Sequence, residues 1–305
     1  MFVLDNVSRV SVGTYHTMAI KTDGSLWATG HNGAGQLADN TKVFRNKFVK
    51  IMNDVIDVSA GYLHTLIVKK GGQVLAVGYN TSGQIGIDSK EEYIFKSVTT
   101  FDNVKSVSAG TDHSFAITVD GSLWGCGSNA SGQLGLPKST SKLGKWTKIT
   151  DGVFFVKAGY KHSLIIKNDS TCWGAGDSSE GQLGTEKGLP DPVYNNMTTV
   201  YDWVKIFDKV KFVDLGQSHS FILTNDNVLY ASGNQAATGD GTGQGKRSEF
   251  KKVCGNVKVL AASHGHAFLI QNNGAIRVTG GNRHGELGSK FDGEYTYFVV
   301  FNRSK

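Results

Sequence analysis

The tetrad Gly-x-x-His returns at near-constant spacing along this chain, and that repetition restricts the fold more than any other feature. It stands at Gly13/His16, Gly61/His64, Gly110/His113, Gly159/His162 and Gly216/His219, with Ser263/His266 as a variant. The steps from one His to the next are 48, 49, 49, 57 and 47 residues. A period of this size marks one supersecondary unit copied several times, each copy unable to bury its apolar face alone.

The unit is clearest over 107–135, VSAGTDHSFAITVDGSLWGCGSNASGQLG. An extended run ends at Gly110, HSFAIT leads to the turn pair Asp120-Gly121, SLWGCG follows, and NASGQLG closes the segment. Alternating apolar residues on both sides of Asp-Gly are a strong signal of a β-hairpin. The other copies keep the plan. A Ser or Thr follows each repeat His except the last, where Ala267 stands. Polar turns follow at Asp23-Gly24, Gly71-Gly72, Asn168-Asp169, Asn225-Asp226 and Asn272-Asn273-Gly274. The second strand ends at Gly30, Gly78, Gly127, Gly176, Gly233 or Gly280, preceded at three residues by Trp27, Leu75, Trp124, Trp173, Tyr230 or Arg277. Closing loops read NGAGQLA, NTSGQIG, NASGQLG, SSEGQLG and NRHGELG, whereas the fifth copy, NQAATGDG, has lost the pattern. An outer strand of the form Phe/Trp-x-x-Ile/Val recurs at Phe48–Ile51, Phe95–Val98, Trp146–Ile149 and Phe250–Val253.

The Gly-x-x-His-Ser/Thr strand, the Asp-Gly-x-Leu-Trp hairpin and the Asn-x-x-Gly-Gln-Leu-Gly loop resemble the regulator of chromosome condensation repeat family, over essentially the whole chain. Kelch repeats have a similar period of about 50 residues, but they carry a Gly-Gly pair in each copy, and here Gly-Gly occurs only at Gly71 and Gly280. The resemblance implies an all-β, single-domain β-propeller spanning 1–305, with about four strands per blade. Closing such a ring hides all but short strand edges. Six copies predict six blades; the family usually has seven, which remains the alternative if one copy is too eroded to see. Partial outer-strand copies at Met1–Val3 and Phe298–Phe301 predict closure by N- and C-terminal strands, one end lending a strand to the other.

Composition agrees with a turn-rich ring: 39 Gly, 3 Pro and no segment of linker composition. The charge of +6, from 32 basic and 26 acidic residues spread along the chain, indicates solubility and argues against a nucleic-acid partner. Met1 leads into FVLDNVSRV without a basic n-region or an apolar h-region, and no 18-residue apolar span follows. The expectation is therefore no export signal and no membrane insertion, with the chain in the cytoplasm or inside an assembly. Three cysteines, Cys126, Cys172 and Cys254, lack Cys-x-x-Cys spacing and read as small apolar residues, not as a disulfide framework or a zinc site.

Chemistry-bearing candidates are few. The repeat histidines belong to different blades, so they read as hydrogen-bonded structural groups, not as ligands of one ion. Trp27, Trp124 and Trp173 read as filling between blades. GDGTGQGKRS at 239–248 fails as a phosphate-binding loop, because Asp240 occupies the first glycine position and Arg247 follows Lys246. Lys138, Lys142, Lys145, Lys148, Lys246, Arg247, Lys251 and Lys252 read as solvated surface. No arrangement for acid–base, nucleophilic or metal catalysis emerges, so no enzyme activity and no cofactor or metal is expected.

The residues that differ between copies carry more information. Those between Gly and His are Thr14-Tyr15, Tyr62-Leu63, Thr111-Asp112, Tyr160-Lys161, Gln217-Ser218 and His264-Gly265. They lie in tight connections at one rim, where loops on a rigid scaffold carry function. Family members that exchange guanine nucleotides place acidic and His residues at such positions, and ultraviolet receptors of the family place tryptophans there. Here only Asp112 is acidic, only His264 is a histidine, and Trp is absent. The expected partner contacts are Tyr15, Tyr62, Leu63, Asp112, Tyr160, Lys161 and His264, a mix typical of interface hot spots; packing of the tyrosines over neighbouring blades is the structural alternative. The 57-residue step reflects an irregular stretch from Thr185 to Asp202, and Tyr194, Tyr201 and the adjoining Trp203 are further candidates there. The expected function is a non-enzymatic, protein-binding scaffold propeller. It is expected to be a component of a larger assembly, such as a virion, a phage tail or a surface complex. The alternative is an exchange factor or regulator of a small GTPase.

Overall fold

The computed structural model describes residues 4–89, 93–185, 198–234, 238–239, 241, 245–282, 287 and 294–300. Its strands form six four-stranded sheets, each built from consecutive strands. The first sheet is β1 (Val7–Val12), β2 (His16–Lys21), β3 (Leu26–Gly30) and β4 (Arg45–Met52). The second is β5 (Val55–Ala60), β6 (His64–Lys69), β7 (Val74–Tyr79) and β8 (Tyr93–Phe101), and the third β9 (Val104–Ala109), β10 (His113–Thr118), β11 (Leu123–Ser128) and β12 (Lys142–Thr150). The fourth is β13 (Val153–Ala158), β14 (His162–Lys167), β15 (Cys172–Asp177) and β16 (Thr199–Phe207). The fifth is β17 (Val210–Leu215), β18 (His219–Thr224), β19 (Leu229–Asn234) and β20 (Lys246–Cys254). The last is β21 (Val257–Ser263), β22 (His266–Gln271), β23 (Ile276–Gly281) and β24 (Glu294–Val300). These are the blades of an all-β, six-bladed β-propeller. Among the described residues, no helix is long and apolar enough to cross a membrane.

Two details differ from the expectation of strand exchange between the chain ends. Phe298 belongs to β24 and completes the last sheet from its own repeat, and the first sheet is complete with β1–β4. Residues 1–3 and 301 lie outside the described residues. The chain divides into two compact units, Met1–Lys161 and His162–Lys305, the boundary falling between β13 and β14.

One register recurs in every blade. The strand-opening His pairs with the strand-closing Gly: His16 with Gly30, His64 with Gly78, His113 with Gly127, His162 with Gly176, His219 with Gly233 and His266 with Gly280. The glycine is required there. At Gly78, φ is +110° and a Cβ would sit 2.3 Å from the Leu63 carbonyl oxygen. The glycine that opens the tetrad is required by its histidine: a Cβ on Gly61 would lie 2.7 Å from Cε1 of the His64 ring.

The second strand of a blade is covered on both faces, which is why HSFAIT is buried throughout and reads as a continuous apolar run. The cores lie between consecutive blades. In the first unit, Met18, Leu26 and Leu37 pack with Val58, Ile67 and Val77, while Leu66 and Ile85 pack with Val107, Cys126 and Trp146. In the second unit, Phe221 and Leu229 pack with Leu260, Leu269 and Phe298. Each such aliphatic side chain contributes about 1.5–3 kcal/mol by leaving water. The closing loop is held by its own side chains. Asn129 Oδ1 accepts from Leu134 N at 3.0 Å, and Gln133 Oε1 accepts from Ser131 N at 2.9 Å, which drives Leu134 fully inward.

Candidate partner-binding rim

The repeat histidines are structural, and their hydrogen bonds explain the Ser or Thr that follows them. His16 Nε2 lies 2.8 Å from Thr65 Oγ1 of the next blade, and that hydroxyl donates to the Gln36 carbonyl at 2.6 Å. His64 Nε2 lies 2.9 Å from Ser114 Oγ, which donates to the Gln84 carbonyl at 2.7 Å. Because the hydroxyl proton goes to the carbonyl, the imidazole must donate from Nε2, which fixes the tautomer. In the second unit, His162 Nε2 and Ser220 Oγ are 3.0 Å apart. Burial pushes the imidazoles of His16, His64 and His219 down to about 3 and that of His162 to about 4. They are neutral clamps between blades. Cys126 and Cys172 are buried as small apolar residues, burial pushing both thiols up, and Cys254 is half-buried.

Within a blade the strands alternate in direction, so the Gly-x-x-His turn and the closing loop emerge at the same end. That end in the first unit gathers most of the candidates. Tyr15 is 51% exposed, and its ring meets Tyr62 edge-on at 5.3 Å between centroids, with the two phenol oxygens 3.5 Å apart. The hydrogen bond to Tyr15 holds the Tyr62 phenol above its ordinary range, with smaller contributions from Tyr160 and Asp112 nearby. Asp112 is half-buried; burial pushes its carboxyl up, and Lys161 opposes that. The Lys161 ammonium lies 5.7 Å from the centre of the Tyr160 ring. Leu63 is half-buried beside Tyr62, and its carbonyl accepts from Tyr79 N at 2.9 Å.

Three aromatic neighbours escaped the sequence reading. The His31 ring lies 6.1 Å from that of Tyr15, and Tyr79 and Tyr93 are 5.4 Å apart. His31 and Tyr79 directly follow strand-closing glycines, so the hairpin register would have set them against the turns.

The other candidates belong to the second unit. His264 is exposed in the turn between β21 and β22, and its carbonyl accepts from Gln217 N at 2.9 Å. Tyr201 and Trp203 do not stand in a loop: both are half-buried in β16, the outer strand of the fourth blade. Tyr194 lies outside the described residues. No helix opens after Lys246, where β20 begins at once, and the Arg247 carbonyl accepts from Ser232 Oγ at 2.9 Å.

Fold and rim together define a propeller whose repeats build a scaffold and whose turns differ from blade to blade. The chain belongs to the RCC1-like domain family, whose model matches residues 2–253. Among solved structures it is similar to human WBSCR16 at 21% identity and a TM-score of 0.86, over 98% of this chain and 83% of that one. It is also similar to yeast RCC1 (Prp20) bound to Kap60, at 18% identity and a TM-score of 0.82, over 98% of this chain and 75% of that one. A structure of Prp20p from Saccharomyces cerevisiae, described with its binding to Gsp1p and histones, matches at 18% identity and a TM-score of 0.83, covering 98% and 77%. At these identities the likeness shows the fold alone. A search of curated proteins returned no match.

Proposed function

We propose that this chain is a non-enzymatic propeller that binds a protein partner through the tyrosine-lined turns of its first unit. The observation that carries the reading is the packing of Tyr15 on Tyr62 at an exposed blade end, with His31, Tyr79, Tyr93, Asp112 and Tyr160 belonging to the same unit. Tyrosine is enriched at interface cores because it gives a large contact area with a polar tip at low entropic cost. The corresponding turns of the fifth and sixth blades carry Gln217, Ser218, His264 and Gly265, without a tyrosine. Membership of a larger particle is not required by this reading.

Photo-crosslinking tests it. p-Benzoylphenylalanine placed at position 15 or 62 is expected to trap a protein from the native source. The same group at Val119, which is 72% exposed at the opposite strand end, is expected to trap none. Adducts from position 119 alone, or equally from all three, would overturn the reading.

A second reading, regulation of a small GTPase, is favoured by the likeness to Prp20, whose described partners include Gsp1p. It requires faster release of a fluorescent nucleotide from a candidate GTPase; a rate equal to intrinsic release removes it.

A further inference from the structure

In three blades the aspartate that precedes the first strand meets a lysine. Asp5 holds Lys21 at 2.7 Å, Asp151 holds Lys148 at 2.7 Å and Asp208 holds Lys205 at 2.7 Å. Lys21 also lies over the Trp27 ring, 5.6 Å from its centre, and Lys167 lies 4.2 Å from that of Trp173. The third blade keeps the acid and the ring as Asp102 and Trp124. Its backbone is unchanged, for Thr22 N donates to the Asn6 carbonyl at 2.8 Å and Val119 N to that of Asn103 at 2.9 Å. Neither lysine is kept. Thr118 ends β10 where Lys21 ends β2, and Thr99 stands three residues before Asp102, as Lys148 and Lys205 stand before their aspartates. An open cavity of about 980 Å³ lies there, lined by Thr99, Phe101, Asp102, Thr118, Asp120 and Trp124 among others. The rings of Phe101 and Trp124 are 4.8 Å apart and inclined at 53°. Asp120 accepts from Thr118 Oγ1 at 2.5 Å and from Ser122 N at 3.0 Å. Lys148 acts on Asp120 through space but is itself held by Asp151.

We propose that this cavity binds a small alkylammonium compound, seated between the Asp102 carboxylate and the rings of Phe101 and Trp124. An ammonium is attracted both by a carboxylate and by the face of an aromatic ring. The sister blades supply that ammonium from their own lysines, and here it must come from outside. A lone exposed carboxylate holds a cation weakly, but the two rings also take the methylene chain of the guest out of water. Asp120, on the same cavity, favours an amine with a second charge a short chain away. An anion would be repelled by both acids. The volume is that of a small-molecule cleft. The cavity opens at the hairpin end of the strands, opposite the tyrosine-lined turns, so the guest is a free amine and not the protein partner proposed above.

The probe is putrescine, a four-carbon diamine, titrated into the isotope-labelled full chain and followed by the indole N–H resonances. That of Trp124 is assigned by its absence from Trp124→Tyr, since the fifth blade packs Tyr230 on Phe207 at the same 4.8 Å. The expected result is a saturable shift of the Trp124 resonance, with none from the four-carbon diol, which has the same length without charge. Binding is expected to weaken about fivefold in Asp102→Asn. It is expected to weaken at least about tenfold in Thr99→Lys, which returns the lysine of the sister blades to the cavity. Both positions are exposed, and thermal melts matching wild type establish that the fold is intact. No saturable shift, an equal response to the diol, or unchanged affinity in Asp102→Asn or in Thr99→Lys overturns the proposal.

Discussion

Adding one oxygen atom at position 267 should stabilise this protein. The imidazole clamps at His16, His64 and His162 each meet a hydroxyl at 2.8, 2.9 and 3.0 Å. His219 is buried in the same way, but Ala267 occupies the position of that hydroxyl, and His219 Nε2 is left without a partner. An unsatisfied buried donor costs about 1–3 kcal/mol, and a hydrogen bond made in its place is worth about 1 kcal/mol net. Space is available, since Thr65, Ser114 and Ser220 are equally buried at the matching positions and one of them is larger than Ser. Ala267→Ser is therefore expected to gain about 1–2 kcal/mol, and Ser114→Ala, which breaks an intact clamp, to lose about 1–3 kcal/mol. Urea unfolding at pH 7.5, with the slope m held as a check on the two-state reading, measures both. A neutral or destabilising Ala267→Ser beside a destabilising Ser114→Ala would refute the symmetry of the clamps. A neutral Ser114→Ala would refute the clamp itself.

Acid should unfold the protein early. The buried imidazoles sit at about 3 to 4, below the ordinary 6.5, so the unfolded chain binds the extra protons. Their contribution is fully present above pH 6.5 and is lost as pH falls toward 3, about 2 kcal/mol for each by pH 5. Asp57 and Asp112, raised by burial, act in the opposite sense, two groups against four. Unfolding free energies at pH 7.5 and 5.0 check this; equal values contradict it. Asp57→Ala leaves two backbone N–H groups without their acceptor and should cost about 3 kcal/mol in the same assay. Gly127→Ala should cost at least about 3 kcal/mol, because φ is +96° and the Cβ would lie 2.4 Å from the Asp112 carbonyl oxygen; a stable variant would show that the turn can shift.

The blade was legible because its chemistry repeats. Gly61 makes room for the His64 ring, His64 meets the Ser114 hydroxyl of the next blade, and Thr65 meets His16 of the previous one, so each copy preserves the same letters at the same spacing. Tyr201 and Trp203 were misplaced in a loop although Trp203-Val-Lys-Ile206 repeats Trp146-Thr-Lys-Ile149, the outer-strand pattern; the long insertion before it obscured the match. The site was legible only as a set of variable turn positions. That Tyr15 packs on Tyr62 follows from adjacent blades once the register is known, whereas the half-burial of Asp112 depends on three-dimensional packing that no local pattern encodes.

The most direct test is calorimetric titration of the crosslinked partner, once purified, against wild type and Tyr62→Ala. The expected result is a loss of about 2 kcal/mol or more in binding free energy, roughly thirtyfold, at an unchanged melting temperature. Equal affinity for both proteins would contradict the assignment of this face as the binding surface.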